Sequence, residues 1–172
     1  MILAHSAIQN AIKNKEIIIT PPLKKNQIGP GSIDLHLGNT FRRFTHQNKV
    51  VEVTDEANFA DITEVVEIKN GDTLLLKPGE TVLGITRERI TLPSTMCGWI
   101  EGRSRFARIG LGVHITSGFA QPGIDNQQVL EMTNLGPSPM ALHPGTRICQ
   151  FIFNRCDGEG LYEGKFQGQE RP

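Results

Sequence analysis

The sequence predicts a mainly β fold, a sandwich or a barrel-like jelly roll, with one short helix at the N-terminus. Two observations carry this prediction. Short runs rich in β-branched and aromatic residues recur along most of the chain. Turn signals made of Gly, Pro, Asn and Asp, such as KNGD, KPGE and HPGT, separate these runs at short spacing. With 172 residues, the chain has the length of a single domain, residues 1–172, with its own core.

The first predicted elements are a helix and a short strand. Ser6 and Gln9 form the pattern of a capping box before apolar residues at helical spacing, which predicts a helix over residues 6–14. The run IIIT stops at two prolines and predicts a strand over 17–20. Further strands are predicted at residues 41–44, 50–53, 65–68, 73–76, 81–86, 96–100, 129–133, 140–143 and 147–153. In GSIDLHLGN, Asp34 and His36 alternate with apolar residues, which is typical of a strand with one polar face.

Two Pro-Gly pairs, in LLLKPGETVLG (74–84) and MALHPGTRICQ (140–150), stand between an apolar run and a returning strand. Pro fixes φ at the second position of a type II turn, and Gly accepts a positive φ at the third. The pattern therefore predicts two hairpins, and SGFAQPGIDNQQVLEMTN predicts a third. From Cys156 onward the composition shifts to Gly, Glu and Gln, which predicts an extended, mobile tail over 156–172.

Charge and cysteine content narrow the classes of function. Lys plus Arg and Asp plus Glu both number 18, and the resulting zero net charge argues against a general nucleic-acid binder. Three cysteines without a CxxC pair favour a reducing compartment. No apolar run approaches the ~20 residues of a membrane span, and the N-terminus lacks the pattern of a signal peptide. We expect a cytoplasmic protein that binds neither nucleic acid nor membrane.

The densest polar cluster is GWIEGRSRFARIG (98–110). Three arginines, at 103, 105 and 108, surround Ser104 after a predicted strand and a glycine. Guanidinium groups and a hydroxyl beside the N–H groups of a turn suit phosphate oxygens. From these residues alone, a phosphate site is as good an interpretation as a cluster of surface charges, either a solvated loop or an interfacial set of salt bridges.

Glu131 interrupts the apolar pattern of the predicted strand VLEMT. On an alternating strand, Leu130 and Met132 point to one face and Glu131 to the other. The pattern alone favours an edge-strand charge that blocks aggregation over a functional carboxylate. The zinc signature of nucleobase deaminases, H-x-E with P-C-x-x-C, is absent from the sequence. HExxH and EF-hand patterns are absent as well, so no dedicated metal site is predicted. The sequence has no G-x-S-x-G elbow to support a nucleophilic triad, and it has no P-loop.

Taken in order, these segments resemble the dCTP deaminase branch of the trimeric dUTPase-like superfamily. The resemblance covers nearly the whole chain, through GSIDLHLGNTFRRF, ITLPSTMCGWIEGRSRFARIGLGVHIT, PGIDNQQVLEMTN, HPGTRICQFIF and KFQGQ. Its most specific part is the separation of GRS-x-x-AR from PG-x(6)-LE-x-x-N. It implies a homotrimer of distorted jelly rolls with active sites shared between subunits. It also implies dCTP as substrate, Mg²⁺ carried by the nucleotide phosphates, and deamination to dUTP without zinc.

The resemblance further implies roles for individual residues. Glu131 matches the family's proton-handling glutamate, and Ser104 and Arg108 match residues that position the reacting base and water. Three segments would bind the nucleotide. The loop Arg103–Arg108, called the arginine loop below, would bind the triphosphate, the backbone of Val129–Glu131 would lie along the nucleotide, and the tail would close over the triphosphate and base. The substrate-binding residues implied are Arg103, Ser104, Arg105, Phe106, Ala107, Arg108, Gln121, Val129, Leu130, Tyr162, Lys165 and Gln169.

Two positions depart from the family pattern. Gln121 stands where most relatives carry an aspartate one residue before Pro-Gly, and Arg105 stands where a serine is usual. The corresponding aspartate activates water in dUTPases, so Gln121 argues against further hydrolysis of dUTP, and Asp125 lies four residues away around a turn. Three functions are left open: a deaminase that releases dUTP, a bifunctional dCTP deaminase and dUTP diphosphatase that releases dUMP and pyrophosphate, and a catalytically silent nucleotide-binding regulator.

Overall fold

The computed structural model describes residues 1–45 and 50–172, and within those ranges the chain is mainly β, as predicted. The strands are β1 Ile18–Thr20, β2 Ile33–His36, β3 Thr40–Phe44, β4 Thr63–Glu67, β5 Leu74–Leu76, β6 Thr81–Thr91, β7 Met96–Gly102, β8 Leu111–Val113, β9 Phe119–Ala120, β10 Asp125–Asn134, β11 Met140–Leu142 and β12 Arg147–Arg155. The helices are α1 His5–Lys13 and α2 Ser104–Ala107, and 3-10 turns cover Lys25–Gln27 and Phe59–Ile62.

Most of these strands join two antiparallel sheets. One sheet has the order β4-β3-β6-β10-β8, with β1 also paired to β6, and the other has the order β2-β12-β7-β9. One hydrophobic cluster takes residues from both sheets, among them Phe41, Leu130 and Phe151, which are fully buried. Strict alternation of half-buried and buried residues along β10 gives that strand one face toward this core and one away from it.

A glycine lets β7 and β12 pack closely. Gly98 of β7 lies opposite Phe153 of β12. A Cβ at this position would lie 2.2 Å from Cε1 of Phe151 and 2.6 Å from the main-chain oxygen of Ile152. Any larger residue would therefore displace a fully buried aromatic ring.

Two local predictions are wrong. Residues 50–53 form no strand, because this β-branched run has no partner strand among the described residues and its valines stay exposed. The helix does not begin with a capping box at Ser6. Its N-cap is Ala4, which makes no side-chain cap bond, and the main-chain N–H of His5 instead donates to the carbonyl of Pro30 at 2.8 Å.

The Pro-Gly turns form, but the hairpins predicted around them do not. Gly79 and Gly145 have φ of 74° and 83°. The residue after each glycine donates its N–H to the carbonyl of the residue before the proline, at 3.0 Å and 3.2 Å. However, β5 pairs with β11 in a separate two-stranded ribbon, while β6 and β12 belong to the large sheets. Each turn thus carries the chain from the ribbon into a sheet.

No helix within residues 1–45 and 50–172 is long and apolar enough to cross a membrane. The cytoplasmic location stays a prediction.

Candidate active site

A cavity of about 760 Å³ opens beside β10. Because side chains alternate along the strand, Gln127, Val129, Glu131 and Thr133 line it from one face of β10. The connection between β8 and β9, β9 itself, and the C-terminal tail supply further walls. Its volume lies within the ~300–1,000 Å³ range of small-molecule sites.

Glu131 enters this cavity from the interior of a sheet. On one side it pairs with Leu83 of β6, and on the other its main-chain oxygen accepts the N–H of His114 at 3.0 Å. The interpretation as an edge-strand charge is therefore wrong. Its Oε2 accepts two hydrogen bonds from Thr116, one from the main-chain N–H at 2.9 Å and one from Oγ1 at 2.6 Å. No residue that the structure describes donates to Oε1.

The loop that delivers Thr116 is held in a special backbone conformation. His114 has φ of 62°, in the left-handed region that non-glycine residues seldom adopt. Its Nε2 lies 2.7 Å from the main-chain oxygen of Ser117, so the ring braces the loop from within. The main-chain bond to Glu131 and this ring contact together fix the direction of the Thr116 donors.

Acidic side chains other than that of Glu131 do not line the cavity in the described part of the chain. Gln121 lines it, at the position where the family pattern has an aspartate. Asp125 does not line it, since its carboxylate is paired with Arg89 at 2.7 Å and 2.8 Å and accepts from Oγ1 of Thr91 at 2.6 Å. These hydrogen bonds, the Arg89 pair first, hold the pKa of Asp125 below its ordinary value.

The arginine loop lies elsewhere on the same chain. None of residues 103–108 is among the described residues that line the cavity. Arg103 is engaged within the subunit: its Nη2 lies 3.0 Å from Oδ2 of Asp34, and its Nη1 donates to the carbonyl of Arg147 at 2.8 Å. The side chain of Phe106 packs partly against the core. The remaining residues of the loop, Ser104, Arg105, Ala107 and Arg108, are exposed.

The tail folds back across the cavity. Tyr162 donates its N–H to the carbonyl of Pro122 at 2.9 Å, and the carbonyl of Gln169 accepts the N–H of Gln127 at 3.0 Å. Both Tyr162 and Gln169 line the cavity, whereas the Nζ of Lys165 lies 5.9 Å from the ring of its neighbour Phe166. The tail has no helix or strand among residues 156–172, and its mobility stays a prediction.

The structure thus divides the predicted site residues into two groups. Five of them, Gln121, Val129, Glu131, Tyr162 and Gln169, surround one cavity. Leu130 points into the core, so only its main chain is available there. The arginine loop and Lys165 do not line the cavity, and the roles of all these residues stay predictions. The predicted hairpin around Gln121 is wrong, because β9 pairs with β7 and not with β10.

A buried polar cluster behind β2 was not predicted. Glu88 is only 2% exposed, and its carboxylate accepts the N–H of His36 at 2.7 Å and Nε2 of Gln27 at 3.0 Å. The Nδ1 of His36 lies 2.6 Å from Oε1 of Glu88. The polar face predicted for β2 exists, but it turns toward these buried groups and toward Arg103 and Arg147, which both pair with Asp34.

A sequence profile described as dCTP deaminase-like matches residues 2–156. The chain belongs to the dCTP deaminase-like family. The match ends at Cys156, where the tail begins, and it therefore includes β10, the arginine loop and every strand of both sheets. Within the described residues, no group of three or more His, Cys, Asp and Glu side chains could hold a metal ion.

Three relatives are similar to this chain over most of their own length. A "dCTP deaminase, dUMP-forming" of Dictyoglomus turgidum is 39% identical over 89% of this chain and 79% of its own. A protein of the same description from Coprothermobacter proteolyticus is 38% identical over 100% of this chain and 94% of its own. A "dCTP deaminase" of Haloarcula marismortui is 36% identical over 100% and 92%.

Solved structures confirm the jelly-roll fold of the dUTPase-like type. The crystal structure of 2'-deoxycytidine 5'-triphosphate deaminase from Agrobacterium tumefaciens matches 91% of this chain with a TM-score of 0.70 at 20% identity. This chain spans about half of that protein, 49% of its length. A dUTPase from phage phi11 of S. aureus matches 87% of this chain and 96% of its own, with a TM-score of 0.53 at 10% identity.

Proposed function

We propose that the protein removes the amino group of dCTP by hydrolysis and releases dUTP and ammonia, a step of pyrimidine deoxynucleotide metabolism. The observation that carries this proposal is the placement of Glu131. It is the only acidic side chain among the described residues of the cavity wall, and two hydrogen bonds from Thr116 orient it. Family membership and the names of the relatives support dCTP as the substrate.

One carboxylate is sufficient for the proton transfers of this reaction. Thr116 holds Oε2, so Oε1 is the oxygen that takes a proton from water as the water attacks C4 of the cytosine ring. Glu131 delivers that proton to N3. It then moves the hydroxyl proton of the tetrahedral intermediate to the amino group, the C–N bond breaks, ammonia leaves, and C4 becomes a carbonyl. The carboxylate ends in its starting state.

The triphosphate requires positive charge that this cavity does not supply. No lysine or arginine is among its described lining residues. We propose that the chain forms a homotrimer in which the exposed Ser104, Arg105 and Arg108 of a neighbouring subunit face the cavity. Arg105 and Arg108 would then meet phosphate oxygens, and Ser104 and Arg108 would orient the base and the water. Lys165 and Gln169 of the tail would close over the nucleotide.

Mg²⁺ enters this scheme as part of the substrate. It binds the phosphate oxygens of dCTP and neutralises their charge, and such an ion needs few protein ligands of its own. Zinc has no part in the proposal, because the sequence lacks the histidine and cysteine pattern that holds it in zinc deaminases.

We propose dUTP as the product because the cavity wall offers no second base that could activate a water for hydrolysis of the triphosphate. Gln121 cannot accept a proton as a carboxylate does, and Asp125 is committed to Arg89 and Thr91. The alternative is a bifunctional enzyme that hydrolyses dUTP further to dUMP and pyrophosphate. The names of the D. turgidum and C. proteolyticus relatives, both dUMP-forming, favour that alternative. A silent regulator is the least supported, because binding alone does not require an oriented Glu131.

The experiment is product analysis. Purified protein is incubated with dCTP and Mg²⁺, and dUTP, dUMP and pyrophosphate are separated and quantified over time. dUTP without pyrophosphate is the expected result. dUMP with equimolar pyrophosphate would replace the proposal by the bifunctional alternative, and nucleotide binding without turnover would replace it by the regulator. The Glu131→Gln variant, purified in parallel, excludes a contaminating deaminase.

A further inference from the structure

Asn126 joins the tail to β10 at the rim of the cavity. Its side chain is largely buried, and the residue is 8% exposed. Its Oδ1 accepts the main-chain N–H of Gly168 at 2.7 Å and that of Gln169 at 3.3 Å. The next residue of the strand, Gln127, donates its N–H to the carbonyl of Gln169 at 3.0 Å. Gln169 is therefore held at both its N–H and its carbonyl group.

The backbone of the tail is shaped for this single acceptor. Gly168 has φ of 78°, and the turn that it makes points two successive N–H groups toward one oxygen. A Cβ at Gly168 would meet no atom within 4 Å, so the glycine serves the backbone conformation and not a close approach. The turn at Gly168 thus supplies two N–H groups that match the side-chain oxygen of Asn126, although the two residues are 42 positions apart in the sequence.

Within the tail, the N–H of Gln169 also donates to the carbonyl of Phe166 at 3.3 Å. The other contacts that tie the end of the tail to the rest of the subunit do not involve Gln169. Glu170 pairs with Arg89 at 2.9 Å, but its side chain is 72% exposed, and solvent screens such a pair. Arg42 donates from Nε to the main-chain oxygen of Pro172 at 2.7 Å, three residues beyond Gln169. These contacts hold the end of the tail near the subunit without setting the direction of the Gln169 side chain.

We propose that Asn126 is a positioning residue that latches the tail and so places Gln169 over the substrate. This inference rests on the proposed function, in which Gln169 closes over the nucleotide. Asn126 acts through Gln169, because its carboxamide oxygen is taken up by the two tail N–H groups. Substrate bound under a latched tail meets a side chain whose main-chain atoms are already fixed, so less ordering is required on binding.

The test uses Asn126→Ala, Asn126→Asp, which keeps an acceptor oxygen, and Asn10→Ala, an exposed asparagine on α1, as the matched control. Amide exchange of Gly168 and Gln169, followed by NMR without nucleotide, should speed up roughly fivefold to tenfold in Asn126→Ala, as loss of a hydrogen bond implies. Asn126→Asp and Asn10→Ala should match the wild type. The KM for dCTP should rise by a similar factor in Asn126→Ala, with a smaller change in kcat.

A second variant keeps the inference testable if Asn126→Ala does not fold. Gly168→Ala strains the turn at an open surface position and should loosen the same two amides. Wild-type exchange in both variants would overturn the latch, and so would an Asn126→Asp variant as loose as Asn126→Ala. If exchange responds as expected but no version of the protein deaminates dCTP, the latch stands and the proposed function fails.

Discussion

Replacing Glu131 by Gln removes the proposed proton acceptor while leaving its surroundings almost unchanged. Gln can place its carbonyl oxygen where Oε2 now receives both Thr116 donors, at 2.9 Å and 2.6 Å. The main-chain pairing with Leu83 and His114 does not involve the side chain. Since Glu131 is only half-buried, we expect the free energy of unfolding to change by less than about 1 kcal/mol.

The effect on catalysis should be far larger. General acid–base groups contribute roughly 10²–10⁴ to a rate, so kcat for dCTP should fall by at least about a hundredfold while the dissociation constant for the nucleotide changes little. Ammonia release measures the first quantity, and equilibrium titration with dCTP measures the second. Glu67→Gln, an exposed carboxylate on β4, is the matched control and should behave as the wild type.

A mixing experiment extends this prediction to the homotrimer that we propose and to the active site that its neighbouring subunits would share. Glu131→Gln and Arg108→Ala subunits are each expected to be inactive as homotrimers. In randomly mixed trimers, a shared site is intact when a subunit with Glu131 faces a neighbour with Arg108, which gives about one quarter of the wild-type sites. If Glu131 and Arg108 of the same subunit work together, mixing restores nothing.

Two results would contradict the role proposed for Glu131. Near wild-type turnover by Glu131→Gln would show that another group moves the protons. Loss of nucleotide binding in parallel with turnover would show that Glu131 serves binding and not the chemical step.

Two further predictions concern stability. Glu88→Ala removes the acceptor of the half-buried His36 main-chain N–H and one acceptor of the buried Gln27 amide, whose nitrogen still donates to the carbonyl of Asp34 at 2.9 Å. Urea denaturation should show that the free energy of unfolding falls by about 3–5 kcal/mol, with a smaller loss for Glu88→Gln. A loss below about 1 kcal/mol would mean that the cluster is not stabilising. The pKa of Asp125 is lowered by Arg89, so this carboxylate contributes its full stability above the unfolded value of 3.8 and loses it as pH falls through the lower folded value. In Asp125→Asn, the free energy of unfolding should therefore fall less steeply at acid pH than in the wild type. The difference should be small because the Asp125 side chain is 40% exposed. An equally steep fall in both proteins, measured by urea denaturation at several pH values, would contradict this prediction.

The parts of the fold that were predictable are those that local sequence determines. The β-branched and apolar runs of β6, β7, β10 and β12 carry their own pattern, and the structure has a strand at each. Pairing between strands is not local. The Pro-Gly turns were predicted correctly as turns and wrongly as hairpins, since β5 finds its partner in β11, more than sixty residues away. The strand predicted at residues 50–53 is absent for the same reason, because a strand needs a partner as well as β-branched residues.

The residues of the site likewise differ in whether a local sequence pattern or a distant partner determines their role. The alternation of β10 was sufficient to direct Glu131 away from the core, and Gln121 stood out against a family pattern. Thr116, Asn126 and Glu88 had no such signal. Each is a single polar residue whose partner is distant in sequence: Thr116 lies 15 residues from Glu131, Asn126 lies 42 from Gly168, and Glu88 lies 61 from Gln27. Only the folded chain brings these pairs together.

The placement of Asp125 decides how the product assay should be interpreted. Deamination requires a base beside the cytosine ring, whereas release of pyrophosphate requires a water activated beside the α-phosphate, and one carboxylate cannot serve both positions at once. The guanidinium group of Arg89 pairs with the carboxylate of Asp125 and also with that of Glu170 in the tail. The Asp125 carboxylate becomes free to act as a base only if its pair with Arg89 breaks. If dUMP appears, Asp125→Asn becomes the discriminating variant. Loss of pyrophosphate with dUTP still formed would identify Asp125 as the second base, whereas unchanged dUMP would require a base from a neighbouring subunit.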